Sequence, residues 1–440
     1  MKNIFLIVLL FSLGLNVQAQ DKWDLKRCVD YAKEHNISLQ LRKLDAEIQK
    51  NNAKQAKYSL LPNLNASSSF NRNWGRSENR ETGTYTDINS KYMNVAVRSS
   101  VSLFEGFQKR NSIKQSNIDL QAYLEDVEKT SNDISLRIAS FYLDILFKKE
   151  LLQVAKDQLK ITQLQIERTS VLVEAGTLPK GTLMEQKAQA AQEELTVVTS
   201  ENNLNLSLLD LAQLLDLSST EAFDIEMPIL PILDSGRSLL NPNSVYDFAL
   251  TSLPEIKAAN LRLESTEKSL AIAKSGIMPS LSLNAGWSTE YQKLDDFPAA
   301  SFSDQLKDRV NKYVGLSLNI PIFNGGTVNR NISNARINID RSRLNLENSK
   351  NVLRKEIQQA HTNALAAMKK YFSSETAVSS TEEAFRYTEE KFNLGLVNSV
   401  EYNQAKNNLL KSKSNLLQAK YEYIFRTKII DFYNGIEISL

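Results

Sequence analysis

Few side chains in this sequence are equipped for chemistry. There is one cysteine, Cys28, and there are two histidines, His35 and His361. A single cysteine cannot close an intrachain disulfide or build a cysteine-based zinc site. The histidines have no paired ligand spacing, so structural or solvated roles outweigh metal binding. Cys28 sits in a helical pattern and reads as a small packed side chain. Asp295-Asp296 lies in a polar loop and reads as a solvated charge pair. No nucleophile–base set, phosphate loop or dinucleotide fingerprint is present. The residues point away from an enzyme, and no cofactor or metal is expected. A net charge of +2 over 440 residues implies no polyanionic partner, so nucleic acid is not expected either.

What the chain does have is a repeated ladder. Ile138, Ile145, Leu152, Leu159, Ile166 and Val173 recur every seven residues, and 219 positions on stand Ile357, Ala364, Tyr371, Val378, Phe385 and Phe392. Beyond Gly176 the ladder resumes as Leu183, Ala190, Val197, Leu204 and Leu211. Beyond Gly395 it resumes as Tyr402, Leu409, Leu416, Tyr423 and Ile430. Sustained heptads predict coiled-coil packing, and two copies predict an internal tandem repeat of one long helical hairpin. Only 14 glycines and 9 prolines interrupt the chain, which suits long helices. Each long helix, about 109–174 and about 329–393, would reach ~100 Å at a rise of ~1.5 Å per residue.

Each copy carries the same elements in the same order. Helices are expected from about Leu25 to Ser59 and from about Val245 to Gly276. An offset of 217 pairs Ala32 with Ala249, Pro62 with Pro279 and Leu64 with Leu281, and the prolines mark the change from helical to extended chain. Strands follow at 63–75 and 91–104 in copy one, and at 280–290 and 312–323 in copy two. Leu64, Ala66, Ser68, Phe70 and Trp74 share one parity, with Asn65, Ser67, Ser69, Asn71 and Asn73 between them. Leu281, Leu283, Ala285 and Trp287 repeat the pattern. The expected division is 1–19 signal peptide, 20–217 first repeat with its hairpin at 107–217, 218–243 linker, and 244–440 second repeat with its hairpin at 326–435. The fold class is mainly α with a small β part.

Two readings of the strands stand open. One is a small soluble sheet packed on helices; the other is a membrane sheet with its apolar face in lipid. The N-terminus favours the second. Lys2, the apolar run Ile4 to Leu15 and the small residues of Val17-Gln18-Ala19 read as a secretory signal cleaved near Ala19, the alternative being an N-terminal anchor. No later stretch is long and apolar enough for a helical span, but alternating strands escape that test. An open sheet cannot sit in lipid with unpaired edges. Four strands fall short of the ~8 that known barrels need. A membrane reading therefore requires several chains to share one barrel.

These residues resemble the TolC-like outer membrane efflux family across almost all of the mature chain. The most specific run is Asn319-Ile320-Pro321-Ile322-Phe323-Asn324-Gly325-Gly326, a barrel-to-helix reversal matched in copy one by Phe104-Glu105-Gly106. Ser102 stands where copy two has Pro321. The turns at Gly176, Thr177, Leu178 and Pro179 and at Gly395, Leu396, Val397 and Asn398 match the family's hairpin tips. The resemblance implies a homotrimer: a transmembrane β-barrel of four strands per chain, continued by a long α-helical coiled-coil barrel. It implies the outer membrane of a Gram-negative bacterium, extending into the periplasm. It further implies a periplasmic adaptor (membrane fusion protein) and an inner-membrane pump as partners, outer membrane lipid around the barrel, and opening by an iris-like movement of the hairpins.

The tips would dock the adaptor, or serve as ordinary helix caps with a hydrophobic contact, or both. Exposed Leu178, Leu396 and Val397 are expected there. Family members narrow the periplasmic aperture with acidic residues six and nine positions past the second tip glycine, here Glu401 and Gln404; the first tip offers Thr182. Only Glu401 is acidic, so it is either a gating carboxylate or a solvated helix residue. An exit duct for type I protein secretion shares the same mechanics. A soluble periplasmic coiled-coil scaffold or adaptor is the alternative of a different class.

Overall fold

The computed structural model describes residues 22–78, 82–219, 223–230, 233–234, 239–295 and 298–439. The expected signal peptide with its Ala19 cleavage site, Pro231 of the linker and Asp296 lie outside them. The chain divides into two compact units. One holds residues up to Lys43 together with Asp126–Ile256 and Ser349 onward; the other holds Leu44–Glu125 and Lys257–Asn348.

In the first unit the first helix of the described residues is α1 (Leu25–His35), capped by Asp24, whose side chain accepts from the Arg27 N–H at 2.6 Å. The single helix expected over 25–59 is broken. Asn36 takes extended backbone, and α2 (Ile37–Tyr58) begins after it. Asn36 compensates the break itself: Oδ1 accepts from the Leu39 N–H at 3.2 Å and Nδ2 donates to the Leu214 carbonyl at 2.8 Å. Copy two breaks at the equivalent place, between α5 (Pro242–Ser252) and α6 (Pro254–Ser275). There the cause is Pro254, which removes a helical N–H and holds Leu253 extended. The same break is thus made by two different chemistries.

The long helices are α3 (Gln108–Glu174) and α8 (Thr327–Asn393), each of 67 residues. Their return partners are α4 (Lys180–Leu214) and α9 (Ser399–Tyr433), each of 35 residues. Equal lengths in both copies show that the repeat is structural. Two cores anchor the first unit at equivalent places. Cys28, Ala32 and Leu39 pack on Ile138, Tyr142, Ile145 and Leu211, with Ile424 of α9. Val245, Ala249 and Ile256 pack on Leu353, Ile357 and Ala364, with Ile430 of α9.

The second unit contains one antiparallel meander, β1 (Asn63–Glu78), β2 (Tyr85–Glu105), β3 (Ser280–Leu294) and β4 (Asn311–Asn319), in that spatial order. The repeats meet at its centre, where β2 of copy one pairs with β3 of copy two. The first hairpin runs further than the alternation predicts: pairing continues to Glu78 opposite Tyr85, into the segment read as loop. β4 is shorter. Ile320, Pro321, Ile322 and Phe323 leave the sheet, because Pro321 cannot donate to a ladder. Beyond the Ser288–Asn311 pair β3 continues without β4, and α7 (Phe302–Asp308) covers that edge. The buried Gln305 accepts from the Gln292 N–H at 3.0 Å, and Thr289 Oγ1 donates to the Leu306 carbonyl at 2.7 Å.

Candidate functional site

Directly opposed residues in an antiparallel sheet share a face, so the register sorts every side chain. One face carries Leu64, Phe70, Met93, Val95, Val97, Val101, Leu281, Leu283, Trp287, Val314, Leu316 and Leu318. The other carries Asn65, Ser67, Ser69, Asn94, Ser100, Ser282, Asn284 and Ser317. On this second face the ring of Tyr313 lies over Gly286, its direct partner, in the space a Cβ would need. The apolar side chains of β1 and β4 are largely exposed, and the outer edges of both strands have no partner within the chain among the described residues.

The apolar face has a definite height. From Leu281 to Tyr291 the strand advances ten residues, ~34 Å at ~3.4 Å each. Tilted by ~40° it rises ~26 Å, the height of the apolar band of a membrane barrel, ~25 Å. Aromatic rings stand at both ends: Phe104, Phe107 and the exposed Phe323 beside the helix entry, and Phe70, Trp74 and Tyr291 towards the hairpin loops. No described helix is long and apolar enough to cross a membrane.

The reversals below the sheet depend on glycine. Gly106, Gly325 and Gly326 all have positive φ, at 58°, 62° and 78°. Gly106 is also buried: a Cβ there would stand 2.7 Å from Met278 Cβ and 2.9 Å from the Ser275 carbonyl oxygen. Pro321 and Phe323 lie in the segment between β4 and Gly325.

At the other ends of the long helices, both tips close as Schellman turns. Gly176 and Gly395 have φ of 75° and 73°. The Thr177 N–H donates to the Leu172 carbonyl and the Leu396 N–H to the Lys391 carbonyl, each at 2.9 Å. Pro179 then precedes α4, and Asn398 caps α9 by accepting from the Glu401 N–H at 2.9 Å. Asn398 thus has a structural task. Leu396 is exposed, but Leu178 and Val397 are not free as expected. They are half-buried and line one cleft of about 550 Å³ between the tips, with Thr182, Gln186 and Phe392. Leu394 and Val400 are the further exposed apolar residues here. Glu401 and Gln404 are exposed, and Gln404 Nε2 donates to Asn408 Oδ1 at 3.2 Å. Thr182 is half-buried.

The two hairpins of the chain are joined above the tips by polar contacts. Arg168 donates to Asn393 at 2.9 Å, Ser399 to Glu185, and Gln165 to the hydroxyl of Tyr402. The Tyr402 ring stacks on Phe392 with centroids 4.6 Å apart, and burial pushes its hydroxyl up to about 12. The innermost contact is an ion pair. Lys406 Nζ lies 3.0 Å from Glu193 Oε1, with side chains 3% and 7% exposed. Thr162 accepts from Lys406 and donates to Glu193, and Gln189 donates to Glu193 at 3.0 Å. Burial holds the Lys406 ammonium below the ordinary lysine range, although Glu193 opposes the shift. Reading apolar residues alone passes over Thr162, Glu193 and Lys406. A signal was present: Gln186, Glu193, Ser200 and Ser207 recur every seven residues, and all four are buried.

The remaining candidates are apart from these sites. Cys28 is buried and its thiol is pushed up to about 12, chiefly by desolvation. His35 stacks on Tyr31 at 4.0 Å and donates to its carbonyl. His361 lies beside Pro242 and Tyr433. Asp295 pairs with Arg72 and Lys91.

The family model described as "Outer membrane efflux protein" matches residues 29–216 and 245–426, one segment per repeat. The chain is 22% identical to Outer membrane protein TolC of Vibrio cholerae over 95% of this chain and 92% of that one. It is 20% identical to Outer membrane efflux protein BepC of Brucella suis, over 95% and 86%. Its fold matches a crystal structure of CusC with a TM-score of 0.78 at 18% identity, covering 97% of this chain and 96% of that one. With both repeats matched and a fold shared end to end with a solved channel, the chain belongs to the outer membrane efflux protein family.

Proposed function

We propose that three copies of this chain form an outer membrane channel that conducts substrates out of the periplasm, in a Gram-negative cell. The carrying observation is the sheet: one apolar face of membrane height, one polar face, and two open edges. Such a sheet is unstable in lipid until neighbours close it, and a soluble scaffold would have no use for the exposed apolar face. Three copies give twelve strands, with the polar face lining a lumen. An inner-membrane pump feeds the channel through a periplasmic adaptor that docks at the tips, around Gly176, Leu178, Gly395 and Leu396. Opening is an iris-like movement of the hairpins. A ring of Glu401 carboxylates, three per channel, favours cations at the aperture, with Gln404 and Thr182 as uncharged neighbours. Protein secretion would use the same duct; the family description favours efflux.

The internal repeat supplies the register between copies. Within the chain Val97 lies opposite Trp287. Val97 moved on by 219 is Leu316, and Trp287 moved back by 217 is Phe70. Leu316 of one copy therefore faces Phe70 of the next. Cysteines at 316 and 70, in a Cys28→Ala background, should cross-link the membrane-extracted protein into covalent trimers; cysteines at 316 and 71 should not. Unboiled wild-type membrane extract should run as a heat-sensitive trimer. Soluble monomer in the periplasmic fraction, or equal cross-linking by both pairs, would refute the assembly.

A further inference from the structure

Between Phe70 and Tyr291 on the helix side and Trp74 on the loop side, the apolar face of the sheet carries a line of cations. Arg72 is directly opposite Lys91, and Lys91 is directly opposite Lys293. All three share a face with Phe70, Met93 and Tyr291, one pair-step nearer the helices. Like charges opposed across strands repel, so such a row needs anions. Among the described residues one carboxylate pairs with the row: Asp295, 3.8 Å from the Arg72 guanidinium and 3.6 Å from Lys91 Nζ. Lys293 has no carboxylate at ion-pair distance among the described residues. The next charged pair outward, Arg76 opposite Asp87, is balanced. Asp304 and Asp308 on α7 make no ion pair with the row; Asp304 instead accepts from the Ser301 hydroxyl at 2.6 Å. Arg72 is steadied from outside by Trp74, its guanidinium 5.1 Å over the ring centroid. On the opposite, polar face the paired strands carry Arg98, Glu290 and, at the helix end, Glu105.

We propose that Arg72, Lys91 and Lys293 form a binding row for the phosphorylated headgroup of a membrane lipid, held against the outside of the barrel at the outer interface. The proposal rests on the membrane reading of the sheet. The chemistry is particular to this position. Aromatic side chains mark the depth at which headgroups begin. The acyl chains lie along Phe70, Met93, Val95 and Val97, while phosphate oxygens meet one guanidinium and two ammonium groups at the boundary. Arginine supplies a planar fork for two oxygens and the lysines supply point charges. With Asp295 subtracted, two cations per chain remain uncompensated among the described residues.

The test uses the full-length trimer in phosphatidylcholine nanodiscs, with diphosphorylated lipid A or the same lipid stripped of both phosphates. Native mass spectrometry reads the lipids retained. Wild type should retain the phosphorylated lipid roughly 30-fold more strongly, the factor implied by ~1 kcal/mol for each of two uncompensated cations. Arg72→Gln/Lys91→Gln/Lys293→Gln should abolish the preference while conductance and the heat-sensitive trimer persist. Should the triple variant fail to assemble, Lys293→Gln alone, which removes no internal ion pair, should cut the preference about fivefold. Millimolar inorganic phosphate should not displace the lipid. An inserted wild-type trimer that retains both lipids equally overturns the proposal, as does an unchanged preference in the variants or displacement by free phosphate. A chain that does not insert at all overturns the membrane reading, and the row with it.

Discussion

Replacing Lys406 by methionine removes one half of an ion pair that water hardly reaches. The partner, Glu193, is 7% exposed and accepts from Lys406 at 3.0 Å. Two unit charges at that distance interact by roughly 5 kcal/mol at an effective dielectric of ~20. Stranding one member of a buried pair costs about 3–5 kcal/mol. The pair ties α9 of the second copy to α4 of the first, and Thr162 draws in α3. Its loss should therefore appear as local opening between the two hairpins rather than as global unfolding. Lys406→Met should speed amide exchange around 190–197 and 402–410 by roughly 10²- to 10⁴-fold. Removing both charges with Glu193→Leu/Lys406→Met should restore most of the protection, because buried pairs replaced by apolar side chains are often neutral. Thr162 keeps a partner in either case, the Gln158 carbonyl at 3.2 Å. Hydrogen exchange on the detergent-solubilised trimer checks both variants. Unchanged exchange in Lys406→Met, or a double variant as open as the single one, would refute the reasoning.

Gly106→Ala combines a left-handed backbone, worth ~1–2 kcal/mol, with a Cβ 2.7 Å from Met278 Cβ. It should lower the thermal midpoint of the trimer measurably on heated gels, and an unchanged midpoint would count against the packing described. Burial raises the Glu255 carboxyl above its ordinary 4.5, with Lys129 only partly opposing. A raised folded value means stability present below pH ~4.5 is lost as pH climbs through the folded value. Glu255→Gln should thus be more stable than wild type in urea at pH 8, with the gap closing towards pH 4; a constant gap would contradict this. Cys28, 0% exposed and with its thiol pushed up to about 12, should resist maleimide at pH 7.5 until the protein is unfolded, as counted by intact mass. Glu401→Ala should reduce cation preference in single-channel recordings, whereas unchanged selectivity would remove Glu401 from the aperture.

Much of this molecule is written in local order. Heptad spacing carried the hairpins, period-two alternation carried the strands, and glycines at 106, 176, 325 and 395 marked the reversals, because each signal involves neighbours within one or two turns of chain. The two constant offsets, 217 and 219, placed the strands inside each repeat, and with them the logic of a shared barrel. Neither helix break follows from the apolar pattern: Pro254 interrupts the helix expected from Val245 to Gly276, and Asn36 makes the equivalent break by hydrogen bonds to Leu39 and to distant Leu214. Folding in space was needed where meaning depends on residues far apart in the chain. Glu193 resembles any solvated heptad residue until Lys406, 213 positions away, closes over it. Leu178 and Val397 read as exposed until the two tips come together around one cleft. Arg72, Lys91 and Lys293 are scattered along the sequence and become a row only through the pairing of three strands. Burial and charge density are properties of a neighbourhood, and in a sheet or a helical bundle that neighbourhood is assembled from other segments.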